Sequence, residues 1–297
     1  MVTKAQEGER ASVALHATST GVLAILLWAS LALLTVEAGG LPNFELLALS
    51  FAIAFVSGLL FLALSGGERF RQLRQPVAPW LTAFFGLFLF HACYFFALST
   101  APAAQASLIC YLWPLLIVLL STLAAREKLR LRHLLGAALG LAGTAILLLG
   151  RNAGAVTLAA APGYAAALAG ALVWSGYSVV NRRFGATPSG MLVGVCGAVA
   201  LAGAAVHLLT ERSTVPGLHQ WLAVVGLGVG PTGLAFVAWD HATKHGNLPL
   251  LGALSYLAPL ISTLLLIAAG SAEATSAVIA GVVLIAGGAA IAAHRLR

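Results

Sequence analysis

Aromatic and polar side chains recur in this sequence at spacings that bring them together. His91, Tyr94 and Phe95 stand at i, i+3 and i+4, and Trp174, Tyr177 and Asn181 at i, i+3 and i+7, so each set shares one face of a helix. A Tyr-Leu-Trp-Pro run holds Tyr111, Trp113 and Pro114, with Gln105 and Ser107 just before it, and a similar run holds Tyr256 and Pro259. Trp28 and Trp239 complete the candidate set. These groups suit binding more than bond-making. A desolvated cation over an indole or phenol face gains about 2 kcal/mol, while Tyr O–H and Trp N–H can donate to a carboxylate. A zwitterionic amino acid presents both partners. Trp113, Trp174, Tyr94, Tyr111 and Tyr256 are expected to line its path, with His91 the chief titrating group at mid-depth. Plainer roles exist for each: a proline that only bends its helix, a histidine bonded to a neighbouring helix, a stripe that only packs.

Catalytic patterns are missing. There is no H-E-x-x-H, no G-x-S-x-G and no G-x4-G-K-[ST] loop. Cys93, Cys110 and Cys196 lie in apolar segments without metal-ligand spacing, so neither metal nor cofactor is expected. Asp240 and His241 are adjacent, but neighbours on a helix point about 100° apart and form no ready dyad. A membrane-embedded enzyme is therefore the lesser reading.

The elements that carry these residues follow from composition. The chain has 297 residues, of which 60% are hydrophobic and 8% charged, against about a quarter charged in a soluble domain. Too few charges remain to cover a water-soluble surface. Apolar stretches free of Asp, Glu, Lys and Arg are long and continuous, and the one from 75 to 125 could cross a ~30 Å hydrocarbon core twice. Ten transmembrane helices are expected near 18–37, 43–65, 78–98, 102–124, 133–150, 162–181, 188–209, 217–239, 248–269 and 274–294. An all-α integral membrane fold follows, and a β-barrel, which would alternate in pieces of about ten residues, does not. The first apolar run is too long for a cleavable signal. Glu37, Glu45 and Asp240 fall at expected helix ends, so no Lys, Arg, Asp or Glu is expected deep in a segment.

Basic residues assign an orientation. With the N-terminus inside, fourteen of the sixteen Lys and Arg lie on the cytoplasmic side and only Arg151 and Arg212 lie outside. The +7 formal charge then reflects topology, and no nucleic-acid partner is implied. The expected setting is a bacterial inner membrane, with both termini cytoplasmic, lipid around the chain and no obligate protein partner.

An internal repeat organises the helices. Tyr111, Leu112, Pro114 and Leu115 return 145 positions later as Tyr256, Leu257, Pro259 and Leu260, and the same offset relates Gly136 to Gly281 and Gly143 to Gly288. Trp28 has a counterpart in Trp174 at offset 146. The halves, 1–150 and 151–297, hold five helices each. An odd number forces them to enter the membrane from opposite sides, as inverted repeats that bind substrate at their interface.

On these residues the chain resembles the drug/metabolite transporter superfamily, in its ten-helix branch with two EamA-type repeats. Trp28, the turn from Ala97, Pro114, the Arg-Glu-Lys loop at 126–128 and Gly136 with Gly143 match the repeat pattern, whereas Glu273 stands one residue off register. Tyr111-Leu112-Trp113-Pro114, Trp239 with His245-Gly246-Asn247, and Ser255-Tyr256 with Pro259 look like the bacterial aromatic amino acid exporters. The resemblance implies export of small, aromatic or neutral amino acids and related metabolites, by alternating access around a central cavity. A cationic drug is the other cargo an uncharged aromatic cavity would accept. Proton coupling and passive facilitation both remain open.

Overall fold

In lipid no water is available to bond the backbone, so an apolar chain must satisfy each N–H and C=O within its own segment, and helices result. The computed structural model describes residues 4–126, 129–149, 157–270 and 273–293, with backbone alone at 4–11 and 67–68. Most of the 126–128 loop, Arg151, Arg295, Arg297 and the outermost ends expected for the fifth and tenth helices (150 and 294) lie outside the described residues.

Among the described residues ten helices are long and apolar enough to cross a membrane: α1 (Ser12–Glu37), α2 (Asn43–Leu64), α3 (Val77–Thr100), α4 (Ala103–Ala125), α5 (Leu131–Leu149), α6 (Leu158–Phe184), α7 (Met191–Thr210), α8 (Leu218–His245), α9 (Leu248–Ala268) and α10 (Ser276–Ala293). No strand occurs among the described residues. The protein is a multi-pass all-α membrane protein. Most boundaries fall within a few residues of expectation. Two do not: α1 is already helical at Lys4, and α8 continues past 239 to His245.

Three of the helices are interrupted in ways that matter. In α4 an α-helical segment ends at Cys110 and another starts at Trp113; in α9 the corresponding segments end at Leu254 and restart at Leu257. Pro114 and Pro259 were expected inside continuous helices. They sit instead in the first turn of the restarted segments, where a missing N–H costs nothing. The carbonyls near the breaks find new partners: Ser255 O accepts from Ala258 N at 3.1 Å, and Tyr111 O accepts from the Tyr256 hydroxyl at 3.0 Å. In α8, Gly228–Leu234 forms a π-helical turn around Pro231. Gly228 lets this turn pack closely on α2, since a Cβ there would stand 2.5 Å from Ile53 Cβ.

The two halves meet through residues related by the sequence repeat. A Cβ on Gly136 would stand 2.6 Å from Gly288 O, and one on Gly143 would stand 3.0 Å from Gly281 O. Gly136 thus meets the counterpart of Gly143, and Gly143 the counterpart of Gly136. Such reciprocal contact is what a two-fold relation between antiparallel α5 and α10 produces. Gly, with no side chain, lets these backbones touch where lipid supplies no hydrophobic drive for association. The principal core lies between α1, α2, α3, α4, α6, α7, α8 and α9, and a second, smaller core lies between α4, α5, α9 and α10.

Candidate substrate site

Four tryptophans from four helices meet at the centre of the principal core. Trp28 comes from α1, just before its interruption at Ser30; Trp113 opens the second segment of α4; Trp174 lies midway along α6; and Trp239 follows the π-turn of α8. All six pairs have ring centroids 5.1 to 6.3 Å apart. Aromatic contacts of this kind are worth about 0.5–1.5 kcal/mol each beyond the area they bury. Trp28 and Trp174, the repeat counterparts, are 5.6 Å apart.

Two indoles are committed to the protein. Trp28 Nε1–H donates to Pro231 O at 3.0 Å, a carbonyl that the π-turn presents. Trp239 Nε1–H donates to Ser178 Oγ at 3.1 Å. Among the described residues no protein acceptor meets the N–H of Trp113 or Trp174. These two donors are left for another partner.

His91 borders the cluster. Its ring stands edge-on to Phe51 and Phe90, each at 5.3 Å, and 6.1 Å from Phe236, which itself lies 5.7 Å from Trp174. Nδ1 is 2.7 Å from Leu87 O. A carbonyl can only accept, so Nδ1 carries the hydrogen and the neutral ring offers Nε2 as an acceptor. Tyr94 stacks parallel to Phe90 and bonds Ser107 Oγ at 3.0 Å.

Accessibility divides the candidates. Trp28, His91, Tyr94 and Tyr111 keep part of their surface accessible, whereas Trp113, Trp174, Tyr177 and Trp239 are buried. Gln105 lies near the start of α4, bonded to the Tyr164 hydroxyl rather than to the cluster. Tyr256 is in the smaller core and Pro259 is buried in the first turn of the restarted segment; the Tyr256 hydroxyl is spent on Tyr111 O, so it is not available to a carboxylate. Pro114 shapes the break beside Trp113, with its carbonyl against Gly252.

A buried ion pair that the sequence reading did not anticipate lies in the last turns of α8, beyond the end expected at 239. Lys244 Nζ is 2.7 Å from Asp240 Oδ2, and both side chains have no exposed surface. Asn181 donates to Asp240 Oδ1 at 2.9 Å and to Thr243 Oγ1 at 2.9 Å, and Lys244 donates to Thr187 O at 3.0 Å. The network ties the end of α6 to the end of α8 beneath Trp239 and Tyr177. Placing the end of the helix at 239 hid it, although the i, i+4 spacing of Asp240 and Lys244 was a signal. Sequence reasoning also passed over Phe51, Phe236 and the Pro231 turn. The Gly-Val-Gly-Pro-Thr-Gly run from Gly228 was the available sign of irregular helix.

At the opposite ends of the helices, carboxylates are exchanged between α2 and the α7–α8 loop. Glu211 accepts from the backbone N–H groups of Phe44 and Glu45 at 3.1 and 3.2 Å, while Glu45 accepts from Thr214 N at 3.0 Å. His207 bridges Glu211 and Ser213, at 2.9 Å from each.

A repeated bundle of broken helices around an uncharged aromatic centre defines a membrane carrier. The chain belongs to the EamA-like transporter family, whose profile matches it twice, at residues 17–149 and 161–293. It is 48% identical over 278 residues to the aromatic amino acid exporter YddG of Ancylobacter novellus, an alignment covering 93% of this chain and 96% of that one. It is 27% identical to the protein of that name from Escherichia coli K12, covering 92% and 94%, and 26% identical to that of Salmonella typhimurium, covering 84% and 87%. A crystal structure with 46% sequence identity superposes with a TM-score of 0.89 over 94% of this chain and 96% of that chain.

Proposed function

We propose that this protein is a carrier, not an enzyme, which exports aromatic and other neutral amino acids from the cytoplasm by alternating access, its site formed where two inverted five-helix halves meet at the tryptophan cluster. The observation that carries this reading is the cluster itself: four indoles, two with unspent N–H donors, beside a histidine with an open acceptor nitrogen. An amino acid would lay its side chain among the rings, give an ammonium hydrogen to His91 Nε2, and take indole N–H bonds from Trp113 or Trp174 on its carboxylate. Tyr94, Tyr111 and Trp28 would line its route. No permanent charge faces these groups, so binding stays modest and release stays fast. The names of the relatives support the cargo, and the reciprocal α5–α10 contacts support the inversion of the halves.

The excess of Lys and Arg on one face favours cytoplasmic termini in an inner membrane. In that orientation the Asp240–Lys244–Asn181 network seals the cytoplasmic ends of α6 and α8, and the accessible surface of His91 and Tyr94 belongs to the outward route. Inward opening would then require α6 and α8 to part at this network.

Competition in proteoliposomes tests the cargo. Exchange of labelled phenylalanine should be inhibited by tyrosine, tryptophan and, more weakly, small neutral amino acids. Inhibition by organic cations alone would move the cargo to cationic drugs, and no exchange of any amino acid would remove the export reading.

A further inference from the structure

On the lipid-facing surface, the crossing of α3 and α6 leaves a furrow of about 230 Å³ that no mechanistic role above uses. Phe85 and Leu89 form one wall, Val173 and Val180 the other, and Gly86 and Gly176 hold it open. A Cβ on Gly176 would meet nothing within 4 Å. Gly86 does the reverse, since a Cβ there would stand 2.6 Å from Tyr177 Cγ; its absence lets that ring close the floor.

An apolar groove in a bilayer touches acyl chains wherever it lies, so a particular lipid needs a polar handle to be chosen. One stands at the end of this furrow. Beyond Val180 the chain passes into a 3-10 turn, Asn181–Phe184, in which residues i and i+3 eclipse at a rise of about 2 Å per residue. Arg183 therefore stacks above Val180, in line with the furrow, while Arg182 points about 120° away round the turn and adds positive charge at the same helix end. Both are exposed, and neither forms an ion pair among the described residues.

We propose that this furrow is a binding site for an anionic phospholipid, one acyl chain lying between α3 and α6 and the phosphate held by Arg183, with Arg182 adding to the positive charge around it. Charge selects the occupant. A second copy packed two-fold on the same patch would bring its own Arg182 and Arg183 against these, whereas an anionic headgroup neutralises them. Clustered basic residues at a helix end next to a groove are the ordinary means of holding such headgroups. In the orientation proposed above this is the cytoplasmic leaflet, but the site stands on the furrow and the arginines and needs neither the cargo nor the direction of transport.

Native mass spectrometry of the purified full chain in detergent, supplemented with phosphatidylglycerol or phosphatidylcholine of the same chains, tests it, because a micelle has no leaflets and no cargo is present. Wild type should retain phosphatidylglycerol roughly five- to thirtyfold better, the span for one to two basic residues facing an anionic surface. Arg182→Ala with Arg183→Ala should remove that preference. Gly176→Leu places its Cβ in open space, so it should leave folding intact, as circular dichroism would verify, and lower phosphatidylglycerol retention. Equal retention of the two lipids by wild type would overturn the proposal. So would a preference that survives Gly176→Leu, which would place the lipid on another basic surface, or a furrow-dependent dimer in place of bound lipid.

Discussion

An aspartate and a lysine without exposed surface, placed where a helix leaves the membrane, set the residue-scale energetics. Removing one partner of a buried pair typically costs about 3–5 kcal/mol, because the other charge is left uncompensated, whereas replacing both by apolar groups is often neutral. Asp240→Ala should therefore lower the thermal unfolding midpoint in detergent steeply, and Asp240→Leu with Lys244→Met should recover most of the loss. A double variant as unstable as the single one would show that the pair stabilises by more than mutual compensation. Trp28 offers a milder case: Trp28→Phe keeps a ring in the cluster but loses the bond to Pro231 O, a net of about 0.5–1.5 kcal/mol. Its unfolding midpoint should fall modestly and labelled amino acid exchange should slow. The sequence already pointed to Trp28, Trp113, Trp174, Trp239 and His91. It could not show which indole N–H groups are spent, since Pro231 lies some two hundred positions from Trp28 and reaches it only through the π-turn.

At the scale of elements, glycines decide which helices touch. Gly288→Leu should destabilise by about 1–3 kcal/mol, the usual cost of overpacking, because its Cβ would stand 2.6 Å from Gly136 O. Gly287→Leu, one residue away with nothing within 4 Å of its Cβ, should be tolerated. Unfolding in detergent compares the two directly, and equal effects would contradict the close packing of α5 on α10. The repeat offset made Gly136, Gly143, Gly281 and Gly288 stand out before any coordinates. That Pro114 and Pro259 restart helices instead of bending them was not legible, because a proline is compatible with either position and the choice is made by packing: Trp113 enters the tryptophan cluster and the Tyr256 hydroxyl bonds the carbonyl exposed at the break.

For the whole molecule, ten spans and the alternation of basic loops were readable from the chain because both follow from transfer energies that act on contiguous segments. The closure of α6 on α8 was not, since it joins Asn181 to Asp240 through space. The proposed orientation puts Val215, which is 96% exposed, outside, and the exposed Ala186 inside. In a background without native cysteines, Val215→Cys should react in intact cells with an impermeant maleimide, and Ala186→Cys only after permeabilisation. Labelling of both from one side would contradict a membrane-spanning α7, and the reverse pattern would contradict the proposed orientation. The central claim, that the two halves jointly hold an amino acid among four indoles beside His91, is tested most directly by counterflow of labelled phenylalanine into proteoliposomes preloaded with the unlabelled amino acid. Wild type should accumulate label, while His91→Leu and Trp174→Ala, reconstituted at equal density and shown to be folded, should lose most of it. Undiminished counterflow in both variants would contradict the account.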